Sequence, residues 1–160
     1  KDYLVKELNL KDMVQKAVRS NARIMISNKI KISMNNLDQK IFSDEKWLLF
    51  ILNQIISNAV KYKKEDPQIS FEARQSTNQI FLEIRDNGIG IAAKDLPRVT
   101  DKGYTGTTGR NYEKSTGMGL YLCKKLCDKL QLSFKIESKE EEYTIVTIGF
   151  PRSSMIFLNE

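Results

Sequence analysis

Three short stretches hold the residue types from which a site could be built. The first is Asp86-Asn87-Gly88-Ile89-Gly90. The alternation of Ile80, Leu82 and Ile84 predicts a strand whose inward phase continues to Asp86. A carboxylate aimed at a core is costly unless something donates to it, and an amine on a buried heterocycle would be a suitable donor. The glycines that follow let backbone come close to a flat ligand. Asn-Gly is also a β-turn signal, so on this segment alone both readings stand.

The second stretch is a predicted helix carrying Gln54, Asn58 and Lys61. At ~100° per residue these lie within about 60° of one another, roughly opposite the core face. An amide oxygen can complete the shell of a hard cation such as Mg²⁺, and a lysine can meet phosphate as a point charge. The alternative is a solvated polar stripe. Trp47 and Ile51 fall on the same side, which is therefore not plainly polar.

The third stretch, Thr116-Gly117-Met118-Gly119-Leu120, is where a glycine-rich loop becomes a helix. Free backbone N–H groups and the dipole at such a helix start can hold an anion, and the glycines permit close approach. No GxxxxGK[ST] loop occurs anywhere. Cys123 and Cys127 follow on the apolar face of that helix and read as core.

Composition narrows the chemistry. The 160 residues include no histidine, which excludes a Ser-His-Asp triad, a histidine acid or base, and a histidine-ligated metal. Lys and Arg number 26 against 20 Asp and Glu, a formal charge of +6 that suits a polyphosphate ligand, nucleic acid or an ordinary solvated surface equally. Hydrophobic residues at 41% and charged residues at 29% are globular values. With no apolar run near the ~20 residues of a membrane span, a soluble single domain is expected. Two cysteines four apart on one helix argue against a disulfide framework.

The elements that must position these residues follow from periodicity. Asn9 caps a helix expected to run to about Ser27, with Leu10, Met13, Val14, Ala17 and Val18 on its core face. Lys29 to Asn35 alternates as a strand, and Gln39 to Phe42 is expected to return beside it after a turn. Asp44 caps the long helix, which reaches about Tyr62 with Leu48, Leu52, Ile55, Ile56 and Ala59 inward. Residues 68–75 and 79–85 read as a hairpin pair, with Ile69, Phe71 and Ala73 inward in the first strand. Residues 92–116 break every period, and a loop of that length is uncommon in a compact domain unless it serves a function. A helix over 119–130 and strands near 133–137 and 143–150 complete an α/β sandwich with helices on one face of a mixed sheet.

In this order, the helical stripe, DNGIG at a strand end, a long loop and STGMGLYL resemble the catalytic domain of sensor histidine kinases. The resemblance runs from about Lys1 to Pro151, carried by ISNAVKY, DNGIG and GMGL, and leaves 152–160 as a tail. The stretch DKGYTGTTGRNYEKSTGMGLYLCKKL looks most like the bacitracin-sensing, intramembrane-sensing subgroup.

The resemblance implies a Bergerat-type fold: a two-layer α/β sandwich with ATP and Mg²⁺ between the long helix and a lid. Asn58 would ligate Mg²⁺ and, with Lys61, serve catalysis. Gln54 would stand at the first position of the family's Asn box, with Lys61 and Tyr62 near phosphate and adenine. Asp86 would accept the adenine amino hydrogen, with Gly88 and Gly90 shaping that end. Gly117 and Gly119, followed by Leu120, would present backbone to phosphate. Thr144, inward on the last strand, would support Asp86. Arg98, Lys102 or Arg110 would be the lid cation. Two positions depart from the pattern: Gln54 replaces Asn, and Thr100 and Tyr104 stand where the family's lid carries phenylalanines.

The implied activity is transfer of the γ-phosphoryl group of ATP to a histidine on a dimerisation domain of the same protein, and thence signalling to a response regulator. No nucleic-acid partner is implied, and membrane contact only through an N-terminal part absent from this sequence, which makes the chain a cytoplasmic domain. Two further readings stay open. One is a hydrolase or clamp of the gyrase and Hsp90 type, which has a general-base Glu where Gln54 stands here. An amide cannot take that proton. The other is a non-catalytic nucleotide sensor.

Overall fold

A computed structural model describes residues 3–101 and 119–152. In chain order the elements are β1 (Val5–Asn9), α1 (Leu10–Ser20), α2 (Ala22–Ser27), β2 (Lys31–Asn35), β3 (Lys40–Asp44), α3 (Glu45–Lys61), β4 (Gln68–Gln75) and β5 (Gln79–Asp86). A 3₁₀ turn at Leu96–Arg98, α4 (Gly119–Lys129), β6 (Ser133–Lys139) and β7 (Tyr143–Pro151) complete the set. Five strands form one sheet in the order β2-β4-β5-β7-β6. Its β2–β4 pair is parallel and the other pairs antiparallel, so the sheet is mixed as expected.

Strand alternation decides which face is covered. Ile69, Phe71 and Ala73 of β4, Ile80, Leu82 and Ile84 of β5, and Val146, Ile148 and Phe150 of β7 are all buried. They share one core with Met13, Val14 and Ala17 of α1, Leu48, Leu52 and Ile56 of α3, and Cys123 and Cys127 of α4. The helices lie on that single face, with α3 packed between α1 and α4. This is the two-layer sandwich. None of the described helices is long and apolar enough to cross a membrane.

Three expectations change. The helix predicted over 9–27 breaks at Asn21, whose side-chain Nδ2 donates to the Ala17 carbonyl at 2.8 Å and to Asn53 Oδ1 at 2.9 Å. A side chain bonding to the preceding turn competes with helix continuation, and α2 starts afresh at Ala22. The strand at 40–44 does not return beside β2. It pairs antiparallel with β1, an element without hydrophobic alternation that periodicity does not reveal. Lys29 adopts φ +56° and lies outside β2, so that strand starts two residues later than predicted.

Candidate functional site

The long helix α3 starts where the sequence places it. Asp44 Oδ1 accepts the Trp47 amide at 2.9 Å, and Oδ2 accepts the Leu4 amide at 2.6 Å, tying the helix start to the chain before β1. Its far end carries the polar stripe. Gln54, Asn58 and Lys61 are half-buried rather than fully solvated, and Ile51 beside them is fully buried. The reason is α4, which packs on that side of α3, with Cys123 Sγ 3.8 Å from the Ile51 carbonyl.

The first residue of α4 meets that stripe. A Cβ on Gly119 would lie 3.0 Å from Gln54 Oε1 and 3.9 Å from Asn58 Oδ1. Two amide oxygens thus face a helix start whose first-turn N–H groups have no intrahelical partners. Leu120 beside it is half-buried. Lys61 Nζ stands 5.6 Å from the centre of the Tyr62 ring.

The Asp86 segment closes the same end of the molecule. Burial along β5 alternates until Arg85 is exposed and Asp86 half-buried, which is the inward phase predicted. Asp86 Oδ1 accepts the Gly88 amide at 2.9 Å. Burial pushes its carboxyl up to about 6, against the opposing pull of the Gly88 N–H and the Arg85 charge. Asn87 points elsewhere: its Oδ1 accepts the Gln68 amide at 2.8 Å and its Nδ2 donates to the Asp66 carbonyl at 3.1 Å. It fastens the strand end to the start of β4.

Gly88 is pressed against the end of α3. A Cβ there would come within 2.5 Å of the Tyr62 carbonyl, the same carbonyl that accepts the Ile89 amide at 3.0 Å. Gly90 has φ +70°, and a Cβ would strike the Lys139 carbonyl. The segment is therefore wedged between α3 and the β6–β7 turn, where only glycine fits twice.

Thr144 pairs across the sheet with Asp86, and Ser138 pairs with Thr144, so the three form one row over β5, β7 and β6. Ser138 is the residue that sequence reading missed. Its signal was present, because it continues the inward phase of Phe134 and Ile136. Thr144 Oγ1 is 3.0 Å from Ser138 Oγ rather than bonded to Asp86.

Of the expected lid, Arg98 pairs with Asp101 at 3.2 Å and Thr100 is half-buried. Lys102, Tyr104, Arg110 and Gly117 lie outside the described residues. Cys123 and Cys127 are free, buried and pushed up to about 12 by that burial, which makes them inert core groups.

Metal binding is constrained by what surrounds Asn58. Among the described residues no three or more acidic or cysteine side chains cluster as a cage. An ion there would rest on the Asn58 amide oxygen, ligand phosphates and water, a donor set that suits Mg²⁺.

Residues 43–154 match the family described as histidine kinase-, DNA gyrase B-, and HSP90-like ATPase. Sensor histidine kinase YxdK of Bacillus subtilis (strain 168) is 34% identical over 152 residues, which cover 94% of this chain and 47% of that protein. Sensor protein BceS of the same organism is 37% identical over 150 residues, covering 94% and 45%. This chain thus spans just under half the length of either relative. Among solved structures, the catalytic domain of histidine kinase ThkA superposes with a TM-score of 0.79 at 17% identity, covering 93% of this chain and 98% of that one. At that identity the likeness speaks for the fold.

Proposed function

The chain belongs to the histidine kinase-, DNA gyrase B- and HSP90-like ATPases, and from that premise we propose that it is the Mg-ATP-binding catalytic part of a sensor histidine kinase. It would donate the γ-phosphoryl group to a histidine carried elsewhere in the protein, since this chain has none. The observation that carries the reading is Asp86: a half-buried carboxylate at a strand end, held by one backbone amide, with glycine backbone pressed close beside it.

In this reading the carboxylate accepts from the exocyclic amine of adenine, and Gly88 lets the segment beside that carboxylate pack directly against the end of α3. The start of α4 offers its N–H groups and dipole to the phosphates. Lys61 adds a positive charge on the same side. Mg²⁺, held by Asn58 and phosphate oxygens, would supply neutralisation of the charge on the transferring group. Gln54 stands where a hydrolase needs a base and cannot remove a proton from water. The chain therefore positions and neutralises rather than activating a nucleophile.

A histidine-bearing dimerisation domain of the same protein is the proposed acceptor and a response regulator the proposed onward partner. The chain would be the cytoplasmic part of a membrane protein. Incubation of the chain alone with labelled Mg-ATP tests this division of labour. Saturable binding without label on the chain or release of phosphate is expected. Steady phosphate release would make the chain a hydrolase of the gyrase and Hsp90 kind.

A further inference from the structure

The row Asp86, Thr144, Ser138 contains more information than its positions alone. Ser138 Oγ is 2.7 Å from the Tyr143 carbonyl, 2.8 Å from the Ile91 amide and 3.0 Å from Thr144 Oγ1. A carbonyl can only accept, so the single Ser138 proton must lie on the Tyr143 contact. An amide can only donate, so Ile91 fills one Ser138 lone pair. The remaining contact, to Thr144, then requires the Thr144 proton. Thr144 is left with lone pairs alone.

This fixes what the row can offer a ligand. Thr144 has no proton for its cross-strand neighbour Asp86, whose carboxylate already accepts from the Gly88 amide. Both groups present acceptors. A purine with an amine at its 6-position brings N–H donors to such a rim, whereas a 6-oxo purine sets carbonyl lone pairs against it and carries its one donor at N1 instead.

We propose that Ser138 is a positioning residue that sets the base preference of the site: by taking the Thr144 proton it keeps the rim acceptor-only and favours 6-amino over 6-oxo purines. The inference rests on the nucleotide reading above. Ser138 also ties the segment after Gly90, through the Ile91 amide, to the same row.

The test is the ratio of ATP to ITP affinity, measured by titration calorimetry on the whole chain with Mg²⁺. ITP differs from ATP in replacing the 6-amine by a carbonyl and in carrying a proton on N1. In Ser138→Ala, the Thr144 hydroxyl is free to turn and donate, and the ratio should fall by about tenfold, one hydrogen bond's worth. Ser138→Thr keeps the hydroxyl and should restore the ratio. Thr144→Val removes the lone pairs themselves and should also lower it. Partial misfolding reduces both affinities by one factor and cannot move the ratio. A wild-type ratio kept within about twofold in both Ser138→Ala and Thr144→Val would overturn the proposal while leaving ATP binding intact. A wild-type chain that bound neither nucleotide would instead overturn the nucleotide reading and this inference with it.

Discussion

Asp86 carries opposite consequences for stability and for binding. Its folded-state carboxyl is raised from 3.8 to about 6 by burial, so the ionised form is the less comfortable one in the free chain. Stability from this group is fully present below pH 3.8 and is lost as pH rises through about 6. The loss is about 3 kcal/mol at most, the free energy that corresponds to moving the carboxyl from 3.8 to about 6. Asp86→Asn should therefore raise the unfolding midpoint at pH 8, leave it little changed at pH 4, and weaken ATP binding by about 1–3 kcal/mol through a donor facing a donor. Denaturation at the two pH values and calorimetry with ATP check the three parts together. Asn58→Ala should behave differently. With Mg²⁺ present the loss of ATP affinity should be about tenfold or more, and with the metal chelated about twofold at most. Equal losses in both conditions would remove Asn58 from the metal.

Among the elements, α3 matters most, because it carries the amides at one side and the Tyr62 carbonyl at its end. Its start depends on Asp44, which bonds two amides from different parts of the chain. Asp44→Ala should cost about 2 kcal/mol in denaturant unfolding, with ATP affinity of the folded fraction unchanged. Gly88→Ala should show the reverse balance. The added methyl meets the Tyr62 carbonyl, so the Asp86 segment must shift and ATP affinity should fall further than stability does. These elements were legible in the sequence where one signal dominated. The alternation of Ile80, Leu82 and Ile84 placed Asp86 inward, and the Asp44 cap placed α3. Where signals competed or were absent, reading failed. Asn21 ends α1 through side-chain bonds that no hydrophobic period records, and β1 exists because β3 pairs with it. Ser138 shares the inward phase of Phe134 and Ile136, but a serine there has no assignable chemistry until its three partners are known.

At the scale of the molecule, the half-buried amides of α3, the start of α4 and the glycine wedge after Asp86 all belong to one end of a two-layer fold. Sheet and core do the positioning, and the rim does the chemistry. On the proposed reading, a chain built this way and lacking histidine would donate phosphoryl groups to an acceptor outside itself. The most direct measurement supplies one. The proposed histidine-bearing domain of the same protein is added, in trans, to the chain and γ-labelled Mg-ATP, and the label is followed over time. The account predicts acid-labile, base-stable phosphate on the added domain, none on this chain, and none on either when Asp86→Asn is used at an ATP concentration that only the wild type binds. Label appearing on this chain, or free phosphate with the added domain unlabelled, would contradict it.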